Sequence, residues 1–262
     1  MRFATWNVNS IRLRLEQLET VDAALRPDVL CLQETKVVDD LFPHDAFEAL
    51  GYRHRAIRGM KSYNGVAVLS KHPIEDVSMP EWCGRADCRH LAATIGGIQV
   101  HSLYIPAGGD IPDPEVNEKF AHKLAFLDEV TAWFAAQDPA RPQILLGDFN
   151  IAPLETDVWS HKQLLKVVSH TPVEVERLGR LQASLGWVDA VRKIIPPEQQ
   201  LYSWWSYRSP DWAKADRGRR LDHAWVTPGL ADRVTAAQVM KDTRSWKPPS
   251  DHVPVVVELT QP

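Results

Sequence analysis

Apolar positions along the chain fall into two kinds of run. Short runs, either alternating or continuously apolar, predict strands at Arg2–Val8, Asp28–Leu32, Val66–Leu69, Leu91–Ile95, Ile98–Tyr104, Gln143–Leu146, Leu221–Val226, Val234–Met240 and Val253–Leu259. Longer runs with spacings of three and four predict helices. Ile11, Leu15, Leu18, Val21 and Leu25 share one face of Ile11–Leu25, and Phe120, Leu124, Leu127, Val130 and Phe134 do the same within Glu115–Ala136. A third helix is expected over Val173–Leu185, and Gly96-Gly97 reads as a hairpin turn.

Strands outnumber helices, and both hairpins and helical crossovers occur. The pattern predicts a mixed α/β fold with two packed sheets and helices outside, rather than the strict βαβ alternation of a doubly wound sheet. No repeat, linker or low-complexity segment divides the 262 residues, so one domain over 1–262 is expected.

Composition narrows the classes of partner. Thirty Lys+Arg against 34 Asp+Glu leave a net charge of −4, so a polyanion would have to be met by local positive charge or a metal. The three cysteines, Cys31, Cys83 and Cys88, provide neither a disulfide framework nor a zinc ligand set. No segment approaches the ~20 apolar residues of a membrane span, and the N-terminus lacks a signal-peptide pattern. A cytoplasmic protein without membrane contact, monomeric by default, is expected. Ten tryptophans are many; some could offer flat surfaces to a base or sugar.

Chemically capable side chains recur where strands end. Asn7 and Asn9 close the first strand and Glu34 follows the second; Asp148 and Asn150 follow Gln143–Leu146. Asp222 opens the strand after Arg219-Arg220, and Asp251-His252 precedes the last strand. Each alone reads as a turn residue or a solvated strand end. If Glu34, Asp148, Asp222 and Asp251 converge, however, like charges ~4 Å apart repel by about 4 kcal/mol at an effective dielectric of about 20. A cation would then have to sit among them, and oxygen ligands favour Mg²⁺ or Mn²⁺ over zinc. Metal-dependent chemistry at a phosphate follows.

The segments Thr5-Trp-Asn7-Val-Asn9, Leu32-Gln-Glu34-Thr-Lys36, Gly147-Asp148-Phe-Asn150, Arg220-Leu-Asp222 and Ser250-Asp251-His252 resemble the exonuclease III family. These are class II abasic-site endonucleases of the endonuclease/exonuclease/phosphatase superfamily. Asn64–Ser70 and Tyr104-Ile-Pro106 look like the same family, so the resemblance spans the whole chain. It implies a four-layer α/β sandwich. It also implies Mg²⁺ held principally by Glu34, with Asn7 and Asn9 close by and Asp251 at a possible second metal position. Asp148 would orient or deprotonate the attacking water, and Asn150 would hold that water or the phosphate. His252, held by Asp222, would hydrogen-bond a phosphate oxygen, and Tyr104 would face the phosphate.

The aromatic and basic segment Tyr202–Asp222 is the expected lesion-reading element, with Arg208 among its cations. By resemblance, Trp204 and Leu221 wall an abasic-sugar pocket, and Arg12, Lys36, Lys61 and Tyr63 contact backbone phosphates. The implied activity is incision of double-stranded DNA 5′ to abasic sites, with trimming of blocked 3′ ends by exonuclease and 3′-phosphatase action. Alternatives are 3′-end trimming alone, an RNA- or phosphoinositide-directed branch, or a catalytically silent binding module. Four positions depart from common family usage: Ser102, Ala107, Asp216 and Arg219. All bear on DNA contacts and the pocket rather than on the metal and water.

Overall fold

The computed structural model describes residues 1–260. Its strands in chain order are β1 (Arg2–Asn7), β2 (Val29–Gln33), β3 (His54–Arg58), β4 (Val66–Ser70), β5 (Glu75–Ser78), β6 (His90–Ile95), β7 (Ile98–Tyr104), β8 (Gln143–Asp148), β9 (Val188–Asp189), β10 (Trp204–Trp205), β11 (Gly218–Arg219), β12 (Asp222–Val226), β13 (Val234–Val239) and β14 (Val255–Leu259). The α-helices are α1 (Ile11–Leu25), α2 (His44–Ala49), α3 (Glu118–Ala135), α4 (His161–Leu164), α5 (Pro172–Ser184), α6 (Ala190–Ile194) and α7 (Trp212–Ala215).

Two six-stranded mixed sheets, ordered β13-β14-β1-β2-β4-β3 and β5-β6-β7-β8-β12-β9, pack face to face. Side-chain parity builds the layers. In β1 and β2, Phe3, Val29 and Cys31 point into the core between the sheets, while Ala4, Trp6, Leu30 and Leu32 point outward under Ile11, Leu18 and Val21 of α1. The other sheet turns Leu103, Leu145 and Trp225 outward, where Phe126, Leu127 and Val130 of α3 and Leu178 and Leu181 of α5 cover them. Both faces of the central strands are therefore buried, which is why they read as apolar runs rather than alternations. The result is the four-layer sandwich.

Element boundaries shift for local reasons. The Asn117 side chain accepts the Lys119 N–H and starts α3 at Glu118, later than the apolar pattern suggests. A Thr171/Glu174 capping box with Pro172 at the first helical position starts α5. Positive φ at Asn9 and Ser10 turns the chain away, and β1 stops at Asn7, one residue short of the expected Val8. β14 begins at Val255, after Pro254 rather than at Val253, because proline cannot donate to the ladder. β3 went unpredicted because only Ala56 of its five residues is fully buried.

Register sets up the site. Asp222 of β12 pairs with Asp148 of β8, which pairs on its other side with Tyr104 of β7. Across the sandwich, Asn7 pairs with Gln33, the residue before Glu34. Gly147 permits the close approach of β7 and β8, since a Cβ there would lie 1.8 Å from the Leu103 carbonyl oxygen.

Candidate active site

The strand ends of the two sheets meet at one polar cluster with Asn7 at its centre. Asn7 Nδ2 donates to Glu34 Oε1 and to Asp148 Oδ2, both at 2.9 Å, and so ties one sheet to the other. Its Oδ1 accepts the backbone N–H of Asn9 at 3.0 Å. Glu34 also accepts from the Tyr104 hydroxyl at 2.9 Å and from the Lys36 ammonium at 2.8 Å. Lys36 reaches on to Asn9 Oδ1 at 2.6 Å, and Asn9 Nδ2 donates to Asp251 Oδ1 at 3.1 Å. The other oxygen of Asp251 accepts from the Trp204 indole at 2.9 Å. Glu34, Tyr104, Lys36, Asn9, Asp251 and Trp204 thus form one connected network.

Asp148 lies between Asn7, Asn150 and His252. Its Oδ1 accepts the Asn150 N–H at 2.9 Å, and its Oδ2 accepts from Asn150 Nδ2 at 3.1 Å. The second Asn150 amide N–H goes to the Ile105 carbonyl, which leaves Asn150 Oδ1 as an acceptor. His252 Nδ1 lies 2.8 Å from Asp222 Oδ2, and its Nε2 faces Asp148 Oδ2 at 3.6 Å. Asp222 is fixed by the Ser203 hydroxyl at 2.7 Å, and that same oxygen accepts the backbone N–H groups of Leu221 and Asp222.

Three of these side chains stand in left-handed backbone conformation: Asn9 (φ 43°), Glu34 (φ 51°) and Asn150 (φ 53°); Lys36 (φ 56°) is a fourth. Such positions cost on the order of 1 kcal/mol each and persist where surrounding contacts hold them. Asn9 is held through its carbonyl by Arg14, which also donates to the Tyr207 hydroxyl and the Pro249 carbonyl. Asn150 is held through its carbonyl by the buried Lys123 ammonium at 2.8 Å. Lys123 is in turn paired with the buried Glu174 at 2.5 Å.

The electrostatics separate the carboxylates into two groups. Burial alone would raise Glu34, but Lys36 and the Asn7 amide prevail and hold it below the usual range, ionised. Burial and then His252, which acts the other way, set Asp148; burial wins and its carboxyl is raised. His252 is raised despite burial, because Asp222 and Asp148 favour the imidazolium. Tyr104 is raised by burial and by Glu34 and Asp148, and stays a protonated donor.

The donor chemistry distinguishes which residues could hold a metal. Asp148, Asp222 and His252 bring ligand-type atoms within 4.8 Å of one another. An imidazolium offers no lone pair, however, and it already compensates both carboxylates. The group built around ionised Glu34, with Asn7, Asn9 and Asp251 adjoining, offers oxygen ligands of the kind a hard divalent cation takes, and the Lys36 ammonium rests against Glu34 and Asn9 there.

Beside this cluster opens a cleft of about 860 Å³, walled by Trp159, Val167, Val168, Trp204, Arg219 and Leu221. Leu221 is buried and Trp204 half-buried. Arg12, Lys61 and Tyr63 are exposed, as is Arg208 on the cleft. Lys36, expected at a backbone phosphate, has its ammonium on Glu34 and Asn9. The supporting parts Arg14, Lys123, Glu174 and Ser203 carry no motif signal, since Arg14 also reaches Tyr207, Lys123 pairs with Glu174, and Ser203 bonds Asp222 only once the chain is folded.

Residues 4–252 match the Endonuclease/Exonuclease/phosphatase family. The chain belongs to that family. Within it the chain sits in the exonuclease III branch: it is 32% identical to exodeoxyribonuclease III of Haemophilus influenzae, over 99% of this chain and 100% of that protein. An AP endonuclease structure from Archaeoglobus fulgidus superimposes with a TM-score of 0.92 at 33% identity, covering all of both chains. A 3′ phosphatase from Neisseria, solved with a product DNA hairpin, gives 0.91 at 32% identity, again over both whole chains. In this exonuclease III-type chain the five motifs supply most of the polar cluster, and Tyr104, Ser203 and Trp204 join it from outside them.

Proposed function

We propose that this chain is a Mg²⁺-dependent DNA-repair phosphodiesterase that incises double-stranded DNA 5′ to abasic sites and trims 3′ ends, removing 3′-phosphates and nucleotides. It would act in the cytoplasm as a monomer with one catalytic domain. The observation that carries the reading is Asp148, buried and raised, hydrogen-bonded by Asn7 and Asn150 and facing a charged His252. The names of its relatives, an exodeoxyribonuclease III, an AP endonuclease and a 3′ phosphatase, support the same substrate class.

Glu34, with Asn7, Asn9 and Asp251 beside it, would hold Mg²⁺, which when bound neutralises charge on the phosphate. Asp148 orients the attacking water and takes its proton; a raised carboxyl is suited to that near neutral pH. Asn150 Oδ1 accepts from the same water. His252 donates Nε2–H toward a phosphate oxygen, and Asp222 keeps the ring oriented and charged. The cleft lined by Trp204 and Leu221 receives the group on the 3′ side of the phosphorus. Because only that group changes, one site serves abasic-site incision, exonuclease and phosphatase action.

The test uses three labelled duplexes, one with a single abasic-site analogue, one intact and one with a 3′-phosphate end. Each is incubated in Mg²⁺, in EDTA and with the Asp148→Asn protein. Metal-dependent incision 5′ to the lesion, lost in the variant, supports the full reading. Cleavage confined to 3′ ends reduces it to end-trimming, the narrower reading that the likeness to the Neisseria 3′ phosphatase favours. No turnover of any duplex overturns it.

A further inference from the structure

Arg219 stands in the cleft wall as a cation with no anion bonded to it among the described residues. It sits on the short ribbon β10–β11 directly opposite Trp204, with its guanidinium carbon 5.2 Å from the centre of a Trp204 ring. Its hydrogen bonds to the protein leave from Nη1 and reach only neutral oxygens: Val168 O at 2.9 Å and Ser169 Oγ at 2.7 Å. Nε is buried and has no partner among the described residues.

The nearby acids are committed elsewhere. Glu174 pairs with Lys123, and Asp157 with Arg192 and Arg220. Of the acids on the cleft, Glu34 holds Lys36, Asp251 holds Asn9 and Trp204, and Asp110 is exposed to solvent. A largely buried guanidinium with only neutral partners is a local conflict in the fold, since an uncompensated charge is costly to desolvate. An anion entering the cleft would relieve it. Arginine also meets carboxylate and phosphate oxygens with the strongest class of hydrogen bond.

We propose that Arg219 is a specificity-determining residue that favours substrates whose fragment on the 3′ side of the scissile phosphorus brings an anionic oxygen into the cleft. The inference rests on the phosphodiesterase reading above. The anion has two sources: a carboxylate on a small terminal fragment, or the phosphate that follows an internal abasic sugar. Aromatic walls at Trp159 and Trp204 would pack the fragment's carbon atoms, and Arg219 its charge.

Two matched pairs of DNA separate these sources. The first is a 3′-phosphoglycolate end against its neutral counterpart, a 2-hydroxyethyl ester of the 3′-phosphate. The second is an internal tetrahydrofuran site followed by an ordinary phosphodiester against the same site followed by a methylphosphonate. Within at least one pair, kcat/KM for wild-type protein should favour the anionic member by about ten- to a hundred-fold, the range of one charge-assisted contact. Arg219→Gln should bring that ratio toward one, and Arg219→Lys should retain part of it. The pair whose ratio moves identifies the source.

Ratios unchanged by Arg219→Gln overturn the inference, including the case in which all rates fall together because the Val168–Ser169 brace was lost. Cleavage of none of the four DNAs overturns the phosphodiesterase reading, and the inference falls with it.

Discussion

His252 Nδ1 lies 2.8 Å from Asp222 Oδ2, and the Ser203 hydroxyl binds that same carboxylate oxygen at 2.7 Å. The arrangement fixes which imidazole nitrogen faces the reaction. With Nδ1–H donated to Asp222, Nε2–H points toward Asp148, and two carboxylates hold the ring in its charged form against burial.

Asp222→Asn keeps the shape and removes the charge that maintains the imidazolium. The expected result is a fall of about 10²- to 10³-fold in kcat on abasic-site duplex, the size of losing one preorganised transition-state donor. Circular dichroism should stay native. A kcat within threefold of wild type would show that His252 works without its carboxylate.

Asp148→Asn leaves the surrounding hydrogen-bonding groups in place but removes the proton acceptor for water. Turnover should drop by about 10²- to 10⁴-fold. Binding of an uncleaved duplex in Ca²⁺, followed by fluorescence anisotropy, should be as tight as wild type or tighter. Weaker binding with unchanged turnover would place Asp148 in DNA recognition instead.

Lys123 braces the site through two buried partners, Glu174 at 2.5 Å and the Asn150 carbonyl at 2.8 Å. Lys123→Met leaves the Glu174 carboxylate buried without its cation, a change that costs about 3–5 kcal/mol. Urea denaturation reads this directly. The double variant Lys123→Met/Glu174→Gln should recover part of the loss, because no orphaned charge remains.

Acid stability carries the signature of the buried pair His90 and His101. His101 Nε2 lies 3.0 Å from Gln143 Oε1, an acceptor, so it carries the proton and His101 Nδ1 accepts from His90 Nε2 at 3.0 Å. Burial lowers His101 to about 4 from its ordinary 6.5 and holds His90 well below its own ordinary value. The unfolded chain therefore binds more protons than the folded one between those values, so stability falls as pH drops from about 6.5 toward 4. His101 alone contributes about 3 kcal/mol across that window at the exchange of 1.36 kcal/mol per pH unit. Chemical denaturation at pH 7 and pH 5 checks the sign, and His101→Gln should flatten the dependence.

Much of the fold and of the polar cluster was readable before any coordinates. Apolar runs such as Val29–Leu32 and Gln143–Leu146 mark strands because both faces of a central strand must be dry. Asn7, Glu34, Asp148, Asp222 and His252 were visible because each closes or opens such a strand, where a sandwich carries its loops. Less was readable where the determining contact is long-range. The amphipathic spacing of α1 gave no reason to single out Arg14, whose guanidinium reaches not only the nearby Asn9 but Tyr207 and Pro249, 193 and 235 positions away. Ser203 and Lys123 escaped for the same reason.

The sequence by itself therefore determined the order of strands and helices, the two-sheet layering and the residue types available at the strand ends, since these follow from local periodicity and from turn and cap chemistry. Only the tertiary structure decided how those residues are spent. It placed the Lys36 ammonium on Glu34, directed both amide N–H groups of Asn150 to Asp148 and Ile105, and set Arg219 in the cleft wall with no anion bonded to it among the described residues. The charge and direction of a side chain at work depend on which partners reach it in space, and such a partner can lie 243 positions away, as in the bond from Ser250 Oγ to the Asn7 carbonyl.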